Sequence, residues 1–454
     1  MYPDWPRSDA DLVPLPRCEG PKLPPFDFGG AQEMEFLEYA GEGLHAHVFK
    51  VAIRGQIYAL KLFRFTFDHD WLGPAKDTDH SDREMMSAFY EYSEPFSCEC
   101  RAFGRLRESG REELAVRCFG YVLLDEEHER ALYAKFRNIS SDEFNGNVYE
   151  YSGEDLRARF LGRDGRKPPL RGIVKHFGHP YNEAAEDFPE TKQQLLRPAA
   201  VRKMLRDVCT LQRLGIFRID VTARQLVDNR FSDFSTAVTT PHFVTTPELN
   251  PHLTPTMRAA MELETFTFAM GDFIYFDKML ELWNRDHTWV DGYQPRPGWR
   301  RFKIRAFPGG GRVRSIKYEL RNRAALESAI FTHMDPRRYD WKKKKTGRTG
   351  QGKRVPLPPL KKWEYDCQGD SRLVKKLQKY NVEDPSLQWE YKDGFMFPRE
   401  GCGHFYVSRR SKAMLQGNSP TLQSNLNSPT PQSNSPTTPD FRPEVLAMLD
   451  DLGF

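Results

Sequence analysis

Two runs of alternating apolar and polar residues, Val48–Ile53 and Ile57–Phe63, flank Arg54-Gly55-Gln56. β-Branched and aromatic runs on either side of a glycine turn predict a hairpin. The apolar segment with Phe36, Leu37 and Tyr39, bending at Gly41, adds a third antiparallel strand. A helix is predicted over Glu94–Arg107, starting at Ser93 or Glu94 ahead of Pro95, with Phe96, Ala102, Phe103 and Leu106 on one face. Leu114–Leu124 reads as one or two strands, and Gly172–Gly178 as a short buried strand running into a glycine. Val201, Met204, Leu205, Val208, Leu211 and Leu214 then fall on one side of a helix, and Met261–Trp283 is a longer apolar-rich one. Strands first and helices afterwards predict an α+β fold.

Between these segments the pattern lapses. Residues 1–32 are rich in Pro, Asp and Gly and read as an arm or extended lead-in. Residues 64–92 and 126–169 read as insertions. With them, the strand-rich part spans 33–179 and the helix-rich part 180–290, followed by an Arg-rich extension at 291–336 around Gly309-Gly310-Gly311. A basic linker at 337–362 and a C-terminal extension at 363–412 come next. Residues 413–441 repeat Asn-Ser-Pro-Thr, a composition that cannot bury a core and is expected to be disordered. Each of Ser419, Ser428, Thr430, Ser435 and Thr438 precedes a proline, so proline-directed phosphorylation could add charge there. The tail at 442–454 regains pattern as a short amphipathic acidic helix with Val445, Leu446, Met448, Leu449 and Leu452. It suits a groove on another protein or a return to its own core.

Composition narrows the classes. Lys and Arg number 67 against 63 Asp and Glu, a net charge of +4 that does not by itself imply a nucleic-acid partner. Between Arg337 and Lys362, however, eleven basic residues face one acid, Asp340, a local balance of +10 (11 − 1). That cluster, with Trp341 inside it and Trp363 beside it, suits a nuclear address or non-specific, salt-dependent DNA contact. The seven cysteines, at 18, 98, 100, 118, 209, 367 and 402, are odd in number and contain no CxxC pair. A disulfide framework and a zinc finger are not expected, and a reducing nucleus or cytoplasm is. No apolar run reaches the roughly 20 residues of a membrane span, and the first residues lack a secretory pattern.

The candidate chemistry is that of nucleotide phosphate. Gly41-x-Gly43-x-x-Ala46-x-Val48 resembles a glycine-rich strand-turn-strand that lies over phosphates. Thirteen residues after Val48, Tyr58-Ala59-Leu60-Lys61 resembles the strand lysine that pairs with phosphate oxygens and a helix glutamate. Glu84 and Glu99 compete for that partnership. Glu84 is explained by a capping box with Ser81, whereas Glu99 lies in the helix directly before a strand, so Glu99 is preferred. After the 201–214 helix, Arg218-Ile219-Asp220 puts Asp220 in the base position and Gln225, five residues on, where kinases carry a magnesium-binding Asn. Asp228-Asn229 makes a tight turn into Asp233-Phe234-Ser235, which resembles Asp-Phe-Gly and offers Asp233 as a second metal ligand. The series resembles a two-lobe protein-kinase-like fold, a small antiparallel sheet over a mostly helical lobe, with ATP and magnesium as its implied cofactors.

The departures are specific. The third glycine is Ala46, the His-Arg-Asp slot reads Arg218-Ile219-Asp220 and so lacks its His, and Ser235 replaces a glycine. Gln225 is one methylene longer than Asn and displaces a metal ligand. Thr246-Pro247-Glu248, an echo of Ala-Pro-Glu, follows Asp233 too soon for a regulated activation loop. These point to a catalytically weak or inactive protein.

The hairpin at 41–63, Glu99–Leu106, Gly120–Leu124, and Asp233-Phe234-Ser235 with Pro241-His242 after it resemble the Fta-two family of fungal kinetochore subunits, a kinase-related group. The likeness covers roughly 34–245. It implies a kinase-like fold, kinetochore protein partners and a nuclear location, with the cytoplasm as alternative, and says little about catalysis. The expected function is a nuclear scaffold. The alternatives are an active atypical kinase acting on protein or a small molecule, and a chromatin-binding module working through 337–362.

Overall fold

In a computed structural model of the chain, the described residues are 18–65, 83–145, 155–160, 165, 167–179 and 198–255. To these are added many positions of a helical stretch ending at 280 and short pieces at 289–290, 294–295, 336–342, 354–358, 389–392 and 395–398. The chain divides into two compact units, 1–313 with 331–363 and 314–330 with 364–454. The described part of the second unit is an antiparallel pair, Trp389–Lys392 with Phe395–Pro398. The other described residues belong to the first unit. The tract at 413–441 expected to be disordered, the helix expected at 442–454 and most of the Arg-rich extension lie outside the described residues.

An antiparallel five-stranded sheet organises the first unit: β1 (Glu35–Gly43), β2 (Ala46–Ile53), β3 (Gln56–Phe63), β4 (Cys118–Leu123) and β5 (Arg171–His176), in the order β1-β2-β3-β5-β4. The three strands expected over 34–63 form as read. Arg54 and Gly55 close the β2–β3 hairpin with φ of 52° and 72°, the left-handed pair that a two-residue turn between twisted strands requires. Alternation along each strand sends side chains to opposite faces. Phe49, Val51, Leu60, Leu62, Val122 and Val174 build one core, while Phe63, Tyr121 and Ile173 face the other way into a second.

The first core is closed by a helix inside the supposed insertion at 126–169. That helix, α3 (Glu126–Lys135), is capped by Asp125, whose carboxylate accepts from the His128 amide at 2.8 Å. Leu132, Ile139, Phe144 and Leu156 join the core there. Only Leu132 is buried on α3 itself, so no apolar stripe marked it in the sequence. The insertion at 64–92 likewise ends in a helix, α1 (Arg83–Tyr92), whose Phe89 ring stacks edge-on to Phe243 at 4.8 Å.

The second core is held by α2 (Pro95–Glu108), which starts where expected, with the Glu94 carboxylate accepting from the Ser97 amide at 3.1 Å. Residues 95–106 of this helix are buried on all sides, including Glu99, Arg101 and Arg105, where one apolar face was predicted. The lead-in explains part of this. Residues 18–28 run along α2 and β4, burying Leu23 and bonding the Phe26 amide to the Tyr121 carbonyl at 2.8 Å. A Cβ on Gly104 would lie 2.7 Å from the Lys22 backbone, and one on Gly120 2.5 Å from the Phe26 nitrogen.

Beyond α2 lie α4 (Pro198–Arg213) and the helical positions between 255 and 280. Val201, Leu205, Val208 and Leu211 of α4 meet Phe273, Phe276 and Leu280 in the shared core, each burial contributing roughly 1.5–3 kcal/mol. Two short pairs lie between the helical segments: β6 (Ile216–Phe217) with β9 (Val238–Thr239), and β7 (Leu226–Val227) with β8 (Arg230–Phe231). Asp228 and Asn229, both at positive φ, make the expected turn of the second pair. The observed architecture is α+β.

The basic stretch at 337–362 is not a free linker at its described ends. Tyr339 is buried under the Arg105 guanidinium at 4.0 Å, and the Val355 amide bonds the Ser109 carbonyl at 3.1 Å. The Arg213 Nε donates to the Pro358 carbonyl at 2.9 Å. Of the four consecutive lysines only Lys342 falls among the described residues.

Candidate functional site

Lys61 sits on β3 opposite Val48 of β2 and Ile173 of β5, on the sheet face turned to α2. Its Nζ lies 2.8 Å from Glu99 Oε2 and 2.8 Å from Asp233 Oδ1. The other Glu99 oxygen, Oε1, takes Lys175 Nζ at 2.8 Å, and that ammonium also donates to the Ser232 carbonyl at 2.7 Å. Glu99, at 0% exposure, is thus a carboxylate shared by two ammonium groups. Burying charge is costly unless partners replace the lost water, and here they do. Burial alone would lower the Lys61 pKa, but Asp233 and Glu99 outweigh it and hold it raised. Burial would raise that of Asp233, yet the ammoniums of Lys61 and Lys175 and the Ser235 amide hold it well below the usual carboxylate range.

Asp220 and Gln225 belong to a second, adjoining chain of contacts. Gln225 Nε2 donates to Asp220 Oδ2, and Gln225 Oε1 accepts from Arg218 Nη2. The same Arg218 nitrogen donates to the Asp233 carbonyl at 2.8 Å. The guanidinium lies 3.9 Å over the Phe231 ring and 5.2 Å from that of Phe234, and its Nε and Nη1 have no hydrogen-bond partner. Burial pulls the Arg218 pKa down to about 10 and pushes that of Asp220 up, against the pull of Arg224 and Arg218.

Backbone strain accompanies this chain. Ile219 takes φ +68°, a left-handed conformation that costs a β-branched residue on the order of 1–3 kcal/mol. Asp272, in the helical stretch, holds it there. Its carboxylate accepts from the Arg218 amide at 3.0 Å, the Ile219 amide at 2.7 Å and Gln212 Nε2 at 3.1 Å. Burial pushes the Asp272 pKa up to about 6.

The glycine turn is held by protein groups. Gly41 takes φ +134° at an irregular register between β1 and β2, which explains the glycine by backbone conformation. The Arg64 guanidinium donates to the carbonyls of Gly43 and Leu44, at 3.0 and 3.4 Å, and to the Glu42 carboxylate. At the tip of the turn, His45 is buried with its Nδ1 3.1 Å from Ser235 Oγ. Burial drives its pKa down to about 4, so the ring is neutral. Glu42, His47 and Glu143 bring ligand atoms within 4.8 Å of one another, but the Arg64 guanidinium stands among them as their cation.

Of the predicted site residues, Lys61, Glu99 and Asp233 touch directly, and Asp220 and Gln225 connect to Asp233 through Arg218. Val48 faces Lys61 by register, whereas Gly41 and Gly43 serve the turn. Glu248 of the Thr-Pro-Glu echo is exposed. Sequence reasoning missed Lys175, Arg218 as a bridge, and Asp272. The first carried a signal: a lysine inside a fully buried strand requires a buried acid.

A family model described as "Kinetochore Sim4 complex subunit FTA2" matches residues 12–238, half of the chain. No curated protein matches it. The matched stretch contains Lys61, Glu99, Lys175, Asp220, Gln225 and Asp233 and stops short of Asp272. The chain belongs to the family of kinetochore Sim4 complex subunit FTA2.

Proposed function

We propose that this protein is a nuclear, chromosome-associated scaffold of the kinetochore, built as a two-lobe protein-kinase-like fold that does not transfer phosphate. The observation that carries the reading is the convergence on Lys61 Nζ of Glu99 from α2 and Asp233 from beyond β8, each at 2.8 Å. It joins the sheet, its helix and the helical layer at the residues that the ordered series of motifs predicted. Asp272 supports the same reading, since it orients the backbone that carries Asp220.

Loss of catalysis is supported by how fully these groups are spent on one another. Lys61 and Lys175 together balance Glu99 and Asp233, which leaves neither ammonium with an uncompensated charge for a phosphate. The carbonyls of the glycine turn point to Arg64, and His45 links the turn to Ser235. The family's description supports protein partners in a kinetochore complex. Among the described residues no helix is long and apolar enough to cross a membrane.

The test combines location and turnover. The full chain carrying a fluorescent tag is expected at discrete centromeric foci, unchanged by Asp220→Asn, while the purified chain releases no phosphate from ATP with magnesium. Diffuse cytoplasmic signal would overturn the kinetochore assignment. Phosphate transfer abolished by Asp220→Asn would overturn the scaffold and favour an active kinase. The local balance of +10 between Arg337 and Lys362 supports a further reading, DNA contact through 337–362. Duplex binding with a steep salt slope, lost when Lys342–Lys345 are neutralised, would establish it.

A further inference from the structure

We propose that Arg218 is a resident cation at the position where the kinase-like reading places magnesium, so that the cleft is closed to divalent metal by its own side chain. The inference rests on that reading, because it is what assigns Gln225 and Asp233 as metal ligands. Magnesium demands oxygen donors free to close in an octahedron at about 2.0–2.1 Å. The donors here are directed elsewhere. Gln225 Oε1 accepts from Arg218 Nη2 while its amide nitrogen is held by Asp220 Oδ2. Asp233 Oδ1 accepts from Lys61 Nζ and from the Ser235 amide, both at 2.8 Å, and the Asp233 main-chain oxygen accepts from Arg218 at 2.8 Å. One guanidinium nitrogen therefore bridges the side-chain oxygen of one assigned ligand, Gln225, and the main-chain oxygen of the other, Asp233. The residues present do not fit magnesium.

Three features keep the guanidinium in place. Its plane lies over Phe231 and beside Phe234, so leaving the site means leaving both rings. The residue is 1% exposed, and its two unpartnered nitrogens have no solvent to turn toward. Its backbone amide and that of Ile219 are bonded to Asp272, and the left-handed Ile219 fixes the direction in which the preceding side chain leaves. A flexible lysine would hold the same charge without the planar group that lies over Phe231. The longer side chain at 225 is then accounted for: its extra methylene carries the amide to Arg218.

Manganese alone is the probe, titrated into the full chain and followed by the loss of the free-ion electron paramagnetic resonance signal. The wild type is expected to take up no stoichiometric ion. Arg218→Met with Gln225→Asn, which keeps an apolar rod over Phe231 and restores a shorter donor, is expected to bind one ion about tenfold more tightly or better. Asp233→Asn on that background should abolish the gain. Arg218→Lys alone should leave the metal excluded. Saturable uptake by the wild type that Asp233→Asn removes overturns the proposal, as does a folded Arg218→Met, Gln225→Asn chain that still takes up no ion. If that chain does not melt cooperatively, Arg218→Gln with Gln225→Asn replaces it under the same two outcomes. Metal uptake by the wild type without turnover defeats this inference and leaves the scaffold standing, whereas turnover defeats the scaffold.

Discussion

Glu99 illustrates what a single buried group can decide. It is a carboxylate with both oxygens in use, one for Lys61 and one for Lys175, and no exposed surface. Asp233 differs, since about a third of its side chain, 33%, reaches solvent. Its ionised form is favoured by two ammoniums, which sets a direction for acid stability. The folded pKa lies well below the 3.8 of the free side chain, so between those values the unfolded chain takes up a proton that the folded chain refuses. The stability that Asp233 contributes is therefore present above pH 3.8 and is lost as pH falls through the folded value. Solvent screening damps the effect. Urea unfolding followed from pH 5 downward should show wild-type stability falling more steeply than that of Asp233→Asn. Equal slopes would mean that the Lys61–Asp233 ion pair does not persist in solution. Lys61, Glu99 and Asp233 were legible because each stood in a recognisable order next to a strand or turn. Lys175 signalled only that its buried strand needs an acid, not which one, and Asp272 stood in no such order; their partners, Glu99 and Arg218, lie 76 and 54 residues away.

Among the elements, those with a complete apolar stripe or a glycine turn could be read directly: the β2–β3 hairpin, α2 and α4. Those that bury one or two residues could not. α3 contributes a single fully buried leucine, and the lead-in at 18–28 has the composition of a loop while behaving as an added edge to β4. Its docking is written in the glycines of its partners rather than in its own sequence. Gly120 is the sharpest case. It takes φ +148°, and a Cβ there would lie 2.5 Å from the Phe26 nitrogen and 2.7 Å from the Pro25 carbonyl carbon. Both neighbours are backbone and cannot turn aside. Gly120→Ala should therefore displace the lead-in from β4 and cost about 2 kcal/mol or more. Limited proteolysis should then cut within residues 18–28 at a protease level that leaves the wild type intact, with a matching fall in melting temperature. An unchanged digestion pattern would mean that the lead-in is not seated on β4 in solution.

For the first compact unit as a whole, the decisive element is α2, because it is bonded to everything around it. Toward the sheet, Glu94 pairs with Arg171 at 2.8 Å, and Glu99 with Lys61 and Lys175. Toward the helical layer, Arg101 Nη2 donates to the carbonyls of Thr239, at 2.8 Å, and Pro241. Arg105 Nη1 donates to the Leu214 carbonyl at 2.7 Å, and its Nη2 to the Thr240 carbonyl. A helix free to swing would need solvent or a second set of partners for these guanidiniums, and Arg101 and Arg105 are fully buried. Moving α2 would strand two charges in the interior, at several kcal/mol each. The sheet and the helical layer should consequently unfold as one cooperative body. In hydrogen exchange, the amides of α2, β3 and α4 are expected to share a single opening free energy. Replacing both arginines, as Arg101→Met with Arg105→Met, should split that opening in two, with the sheet side and the helical side exchanging separately. A wild-type α2 that exchanges well ahead of α4 would instead describe a mobile helix, and with it a Lys61–Glu99 pair that can be made and broken. That outcome would move the protein from a fixed scaffold toward a switch.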